Sequence, residues 1–258
     1  MVKGNIKSLS GETTKKMDLP SVFEVPFRPD LIKRAVLSDE SKKRQKQGRS
    51  KLAGKLTAAT SVGPGRGISL VPRTHAKGTH HASRGAVVPS TRGGRLAHPP
   101  RVEKIIVEKM NKKEYALALK SAVAATADGE VVKERGHRFD EKVEFPIIVE
   151  DKFSEIQKTT EVLKVLNNLG LEGDLERTSK RSIRAGKGKG RGRKYRTKKG
   201  PLLVVAEKCS TLNAAKNIPG VNIMTVKELR ITDLAPGTSP GRVTVWTESA
   251  VKSMEEWK

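Results

Sequence analysis

The chain has 258 residues and carries 52 Lys and Arg against 28 Asp and Glu, a formal net charge of +24. A single cysteine, Cys209, excludes an intrachain disulfide framework and a Cys-x-x-Cys zinc site, and fits a reducing compartment. No apolar signal core follows Met1–Asn5, and the longest apolar runs, such as Pro201–Ala206, are far too short to span a bilayer, so a soluble cytoplasmic protein with no membrane partner is expected.

Taken in order, Asn5–Leu9 and Val22–Val25 read as short strands. Pro29 stands where a helix starts, because its missing N–H costs nothing in the first turn. Leu31, Ile32, Ala35 and Val36 give that helix one apolar face, and it is expected to stop by Gly48. Residues 1–40 thus open a globular body.

Residues 41–101 break the pattern. The stretch holds no Asp, Glu, Phe, Trp, Tyr or Cys, but fourteen Lys and Arg and four of the five histidines, His75, His80, His81 and His98. Glycine and proline recur in it, as in Gly63-Pro64-Gly65-Arg66-Gly67 and Arg92-Gly93-Gly94-Arg95. Such a segment buries too little apolar area to offset its ordering entropy, and its like charges repel. It is expected to be an extended loop that takes its shape from a polyanion.

Residues 102–258 resume the body. Asn111 and Glu114 have the spacing of an N-cap and its reciprocal partner. Tyr115, Ala118, Leu119, Ala122 and Val123 then repeat at helical spacing, up to Asp128-Gly129. Phe145–Val149 reads as a strand, and Val162, Leu163, Leu166 and Leu169 mark a helix closed by Gly170. Residues 177–199 are a second acid-free arm, with twelve Lys and Arg. Beyond it Leu202–Ala206 is a strand, and Ser210 can cap a short helix through Lys216. Val221–Met224 is a strand with a helical turn after it over Val226–Leu229, and Val243–Trp246 is the last strand. A final helix turns Ala250, Val251, Met254 and Trp257 inward.

Helices alternating with short, continuously apolar strands predict an α/β fold: a mostly parallel sheet flanked by helices, in a Rossmann-like body. Outside the two basic segments the charges sum to only −2. A nearly neutral body with two basic arms is the layout of a protein that binds nucleic-acid phosphates.

No catalytic constellation emerges, so neither an enzyme nor a cofactor is expected. Gly63–Gly67 lacks a preceding strand and the Lys-Ser/Thr of a phosphate loop, and Gly186–Gly192 has no Ser or Thr after its lysines. His75, His80 and His81 have no carboxylate or thiol nearby, and Arg73, Lys77 and Arg84 would repel a cation. Hydrogen bonding to RNA oxygens is expected of these histidines, and no metal. In the second arm the glycines let main-chain N–H groups approach phosphates, while Arg181, Arg184, Lys187, Lys189, Arg191, Arg193, Lys194 and Arg196 project outward. Tyr195 can stack on an unpaired base. Arg49 and Lys55 join the expected RNA contacts of the first segment.

Val71-Pro72-Arg73-Thr74-His75-Ala76-Lys77-Gly78, Gly93–Pro100, the helix Asn111–Ser121 and the arm Gly186–Arg196 together resemble the family of the fourth large-subunit ribosomal protein, in its archaeal form. The resemblance covers essentially the whole chain. The long C-terminal extension of eukaryotic members is missing here, and bacterial members lack most of the 177–199 arm. The resemblance implies a body at the outer surface of the large subunit, bound to large-subunit rRNA early in assembly. It also implies that the 41–101 loop runs through rRNA toward the polypeptide exit tunnel. Arg66, Arg73, Lys77, Arg84, Arg92 and Arg95 would hold rRNA phosphates. A tip at about Arg66–Lys77, with Arg66, Gly67, Arg73 and Lys77, would line the tunnel beside another tunnel-loop protein and the nascent polypeptide. Neighbouring large-subunit proteins are the other implied partners. A non-specific nucleic-acid chaperone or chromosome-coating protein fits the composition equally. Such a protein more often presents one continuous basic face or a DNA-entering helix than two arms on a neutral body.

Overall fold

The computed structural model describes residues 3–257. β1 (Lys3–Lys7) enters a turn in which the Ser8 N–H donates to the Glu12 carbonyl (2.8 Å), and the chain returns antiparallel as β2 (Thr13–Asp18). The strand expected over Asn5–Leu9 is displaced by two residues because Ser8 already belongs to this turn. β2 was not expected at all. Its sequence is polar and exposed because it is an edge strand, where Lys15 and Lys16 discourage pairing with other chains. Val22–Val25, expected as a strand, is instead a 3₁₀ turn over Ser21–Glu24. Pro20 and Pro26 bracket it, and Val22 and Phe23 both enter one core, whereas a strand sends neighbours to opposite faces.

α1 (Pro29–Lys42) buries Ile32, Ala35 and Val36. Lys43–Val107 then forms a compact unit of its own, which includes the short strands β3 (Ala59–Thr60) and β4 (Arg73–Thr74). The remainder of the chain forms the other unit. At its junction the Ser38 hydroxyl donates to the Glu108 carbonyl (2.7 Å), and the Glu108 N–H donates to Ser41 Oγ (3.0 Å). The departing and returning strands of chain are thereby tied together.

In α2 (Lys112–Ala124) the expected capping box is not made. Glu114 lies 3.6 Å from Arg34 instead, and the Asn111 side chain caps nothing. Tyr115 packs against α1 and donates to the Asp39 carboxylate at 2.7 Å. Short α3 (Gly129–Glu134), capped by Asp128, was not expected. After β5 (Ile147–Val149) comes α4 (Thr159–Asn168), closed as expected by Gly170 at φ +80°, with the Leu171 N–H reaching back to the Leu166 carbonyl. α5 (Glu172–Ser179) was also unexpected, and it takes in Arg177, the first residue assigned to the second arm. Two-residue strands β6 (Ser182–Ile183) and β7 (Tyr195–Arg196) follow within that arm.

β8 (Leu202–Val205) leads to α6 (Thr211–Lys216). Ser210 does not cap α6. Its own backbone is already helical (φ −59°, ψ −36°), and its hydroxyl donates to the Ser154 carbonyl. β9 (Asn222–Thr225), α7 (Ile231–Leu234), β10 (Thr244–Thr247) and α8 (Glu248–Ser253) complete the body, with Thr247 capping α8.

The six-stranded sheet has the order β2-β1-β5-β10-β8-β9, parallel throughout except for the β1–β2 pair. β10, last in sequence, is inserted between β5 and β8, which is not the 3-2-1-4-5-6 order of a dinucleotide-binding sheet. Alternate strand residues feed two cores. Ile148, Leu202, Val204 and Trp246 join α1, α2, α7 and α8 on one face. Ile147, Val149, Leu203, Val205 and Val245 join α3, α4 and α6 on the other. Both faces are covered, which is why these strands read as continuous apolar runs. Among the described residues, no helix is long and apolar enough to cross a membrane.

Candidate nucleic-acid interface

Within Lys43–Val107, β3 and β4 pair Ala59 with Thr74 and Thr60 with Arg73. On the other side of β4 the Thr74 N–H donates to the Arg84 carbonyl (3.0 Å) and the Ala86 N–H to the Pro72 carbonyl (2.8 Å). Two turns, 61–72 and 75–83, leave this small ladder. The segment expected to have no shape of its own therefore has a main-chain scaffold, but almost no core: Ala86 is its one buried apolar residue among those described.

Arg66 and Gly67 lie in the first turn and Lys77 in the second, all exposed. Arg73 stands at their common root, half-buried, and donates to the Ser83 carbonyl at 2.9 Å. The four residues expected at one tip are thus divided between two turns and a root. His75 bonds the Thr60 hydroxyl at 3.0 Å, while the His80 and His81 rings lie with centroids 3.9 Å apart and planes tilted by 44°. Arg84 and Arg92 are exposed separately. Arg49, Lys55 and Arg95 do come together, with Lys51 and Arg101, around a groove of about 500 Å³. The one acid there, Glu103, is 3.8 Å from Lys51.

The second arm is a hairpin that pairs Ser182 with Arg196 and Ile183 with Tyr195. A 3₁₀ turn over Lys187–Arg191 sits between left-handed glycines, Gly186 (φ +77°) and Gly192 (φ +80°). Arg181, Arg184, Lys187, Lys189, Arg191, Arg193, Lys194 and Arg196 are all exposed. Lys194 stands 5.5 Å from the Tyr195 ring centroid, and Tyr195 is 53% exposed.

The root of the arm holds a cluster that the sequence did not reveal. Asp174 on α5 is fully buried and accepts from Arg177 Nε (2.8 Å) and from the Arg138 N–H (3.3 Å), with His137 Nδ1 at 3.0 Å. Arg177 Nη2 also donates to the Lys199 carbonyl at 2.7 Å, which ties α5 to the returning limb of the arm. Only the i, i+3 spacing of Asp174 and Arg177 on a helix could have pointed here. His137 is brought in by the fold.

Burial is the main influence on His137 and, with Arg177 and Arg135 beside it, holds its pKa below 6.5 despite Asp174. Burial alone would raise Asp174, but the bonds from His137 and Arg177 outweigh it and keep the carboxyl below its ordinary range. The imidazole is therefore neutral at pH 7. The unfolded chain takes up this proton first, so the body keeps its full stability above about pH 6.5 and loses it as pH falls toward the folded value. Each unit separating the two pKa values contributes about 1.4 kcal/mol. Thermal melts from pH 7.5 to 5.5 are expected to show this decline, and His137→Gln to flatten it. A parent chain with a flat profile over that window contradicts the assignment. The Asp174 contribution is lost only in stronger acid.

A family model described as the Ribosomal protein L4/L1 family matches residues 17–257. The chain is 48% identical over 256 residues to the large ribosomal subunit protein uL4 of Methanocaldococcus jannaschii, covering 99% of each. It is 45% identical over 252 residues to that of Halobacterium salinarum (97% of this chain, 98% of that one). It is likewise 45% identical over 255 residues to that of Methanosphaera stadtmanae (98% and 96%). The similarity runs through the body, the 43–107 unit and the arm alike, and the chain belongs to the ribosomal protein L4/L1 family.

Proposed function

We propose that this chain is a structural constituent of the large ribosomal subunit, in the cytoplasm, that binds large-subunit rRNA early in assembly and catalyses nothing. The observation that carries this is the concentration of charge. Half of the 52 Lys and Arg fall in the two acid-free segments 41–101 and 177–199, while the rest of the chain sums to −2. Neutralising RNA phosphates and releasing their counterions is what such segments do best. The curated relatives carry the name of a large-subunit protein, in keeping with this reading.

In this reading residues 1–40 and 102–258 are the body, 41–101 is the loop that reaches the exit tunnel, and 177–199 is a second rRNA clamp. Arg49, Lys55, Arg73, Arg84, Arg92 and Arg95 meet rRNA along the loop, with His75, His80 and His81 bonding its oxygens. The turns that hold Arg66, Gly67 and Lys77 come nearest the nascent polypeptide and a second tunnel-loop protein. Ile68, Leu70 and Val71 supply contact there, and the absence of aromatics keeps the turns narrow.

Co-sedimentation tests the proposal. The tagged chain from cell lysate is expected to stay with large subunits through a high-salt wash, as an integral component does. Release at moderate salt into a broad, nuclease-sensitive fraction would indicate peripheral binding and favour a nucleic-acid chaperone or chromosome coat instead.

A further inference from the structure

A pocket of about 420 Å³ opens at the root of the second arm, lined in part by Arg135, His137, Arg177, Arg196, Lys198 and Lys199. Five of these six are cations. They come from three places remote in sequence: the end of α3, the body of α5 and the returning limb of the arm. No Asp or Glu lines the pocket.

The site is built rather than incidental. Arg135 is half-buried and donates to the carbonyls of Pro236 (2.9 Å) and Pro240 (3.3 Å), both uncharged acceptors. Arg177 is fixed by Asp174 and by the Lys199 carbonyl. Asp174 pairs with the buried side of the cluster, and its Oδ1 is shared by Arg177 and His137. Burial and the neighbouring Arg177 bring Arg135 down to about 10, a sign of how crowded the cations are. Arg135 and Arg177 are held partly out of water with Arg196 and Lys198 exposed beside them, and no carboxylate lines the pocket to offset the repulsion of these like charges.

Building on the rRNA reading above, we infer that this pocket seats a phosphodiester of the rRNA backbone at the root of the arm. The bound phosphate supplies the missing negative charge, and its oxygens accept from guanidinium groups already oriented by the protein. A contact in this half-enclosed site is screened less than one on the exposed arm. Arg135, Arg177, Lys198 and Lys199 thereby join the RNA-binding set, and the arm is gripped at its base as well as along its length.

His137 is the reporter. A phosphate seated beside it raises its titration midpoint by about one pH unit, because a nearby opposite charge favours the imidazolium. The full chain is followed by NMR of its histidine rings, alone, with inorganic phosphate, and with a fragment of large-subunit rRNA. His137→Gln identifies the resonance by its loss. The expected result is a rise with the RNA fragment. The exposed pair Arg196→Gln with Lys198→Gln is expected to diminish that rise and to cost about tenfold more RNA affinity than Lys187→Gln with Lys189→Gln, pairs of equal charge change. The same spectra check that both variants fold. If the RNA binds and His137 does not move, the pocket is not its phosphate site, and the rRNA reading survives. If only inorganic phosphate moves His137, the site is for a free anion and the inference is overturned. If no rRNA fragment binds at all, the rRNA reading fails first.

Discussion

Replacing Arg242 by methionine is expected to cost the body about 4 kcal/mol and to lower its melting midpoint by roughly 8–16 °C. Arg242 is 1% exposed, and burial lowers its pKa to about 10, so it is still charged at pH 7. It has no carboxylate partner among its hydrogen bonds. Nε donates to the Gly200 carbonyl (2.7 Å), Nη1 to the Asp233 carbonyl (2.8 Å), and Nη2 to Asn222 Oδ1 (2.8 Å). One planar fork therefore ties the entry of β8, the start of β9 and helix α7. Methionine keeps much of the volume but leaves these acceptors buried and unmet, and that unmet desolvation, more than lost attraction, is the cost. Arg242→Lys keeps the charge without the fork and is expected to lose about half as much. The effect reaches the arm as well. Gly200, where the arm rejoins the sheet, donates its N–H to the Gly220 carbonyl (2.9 Å). Gly220 has φ +81°, and a Cβ there would lie 2.6 Å from Thr178 Cβ, so the chain passes through a gap that admits only glycine. Chemical denaturation of both variants measures the cost. A loss under about 1 kcal/mol for the methionine variant would mean that water replaces the fork adequately.

What the sequence disclosed and what it hid follow one rule. Ile147–Val149 and Leu202–Val205 lie between two cores, and double-sided burial leaves a run of apolar residues that can be read directly, whereas the last strand, expected over Val243–Trp246, is found one residue later at Thr244–Thr247. β2 is as much a strand, but at an exposed edge nothing asks its side chains to be apolar. Val22-Phe23 misled because two adjacent apolar residues suit a strand buried on both faces as well as a turn resting on one core. α3, α5 and α7 are short and have little apolar periodicity, so tertiary contacts decide them. In α5 the deciding contact is the buried Asp174. The basic segments were plain as composition, yet their ladder and hairpin were not, because main-chain hydrogen bonds leave no side-chain pattern. His137 and Asp174 are 37 residues apart and meet only in the fold, so the cluster at the arm root could not be read. The family was legible for a different reason: Val71–Gly78, Gly93–Pro100 and Gly186–Arg196 carry its motifs in order, and the matched relatives belong to it.

Deleting residues 50–99, with two glycines joining Arg49 to Pro100, is expected to leave the body folded and to disable the chain in its particle. The Arg49 N–H already donates to the Pro100 carbonyl at 3.1 Å, so the ends to be joined are neighbours. Among the described residues of the deleted span only Ala86 is buried and apolar, and neither core contains it. The Ser38 and Ser41 bonds to Glu108 lie outside the span and persist. The melting midpoint should therefore stay within about 3 °C of the parent, less than about 1 kcal/mol for a domain of this size. RNA binding should not survive so well. The deletion removes Lys51, Lys55, Arg66, Arg73, Lys77, Arg84, Arg92 and Arg95 with no acid, taking net charge from +24 to +16. Six to ten phosphate contacts account for about 10³–10⁵ in affinity between 50 and 200 mM salt, so a loss of at least ~100-fold at 150 mM is expected, with a shallower salt dependence. Filter binding to large-subunit rRNA across a salt series reads both. Supplied as the only copy in cells, the deleted chain should stall maturation of the large subunit. Parent-like particles would instead mean that the 177–199 arm suffices for assembly, and that the loop contributes nothing the subunit needs.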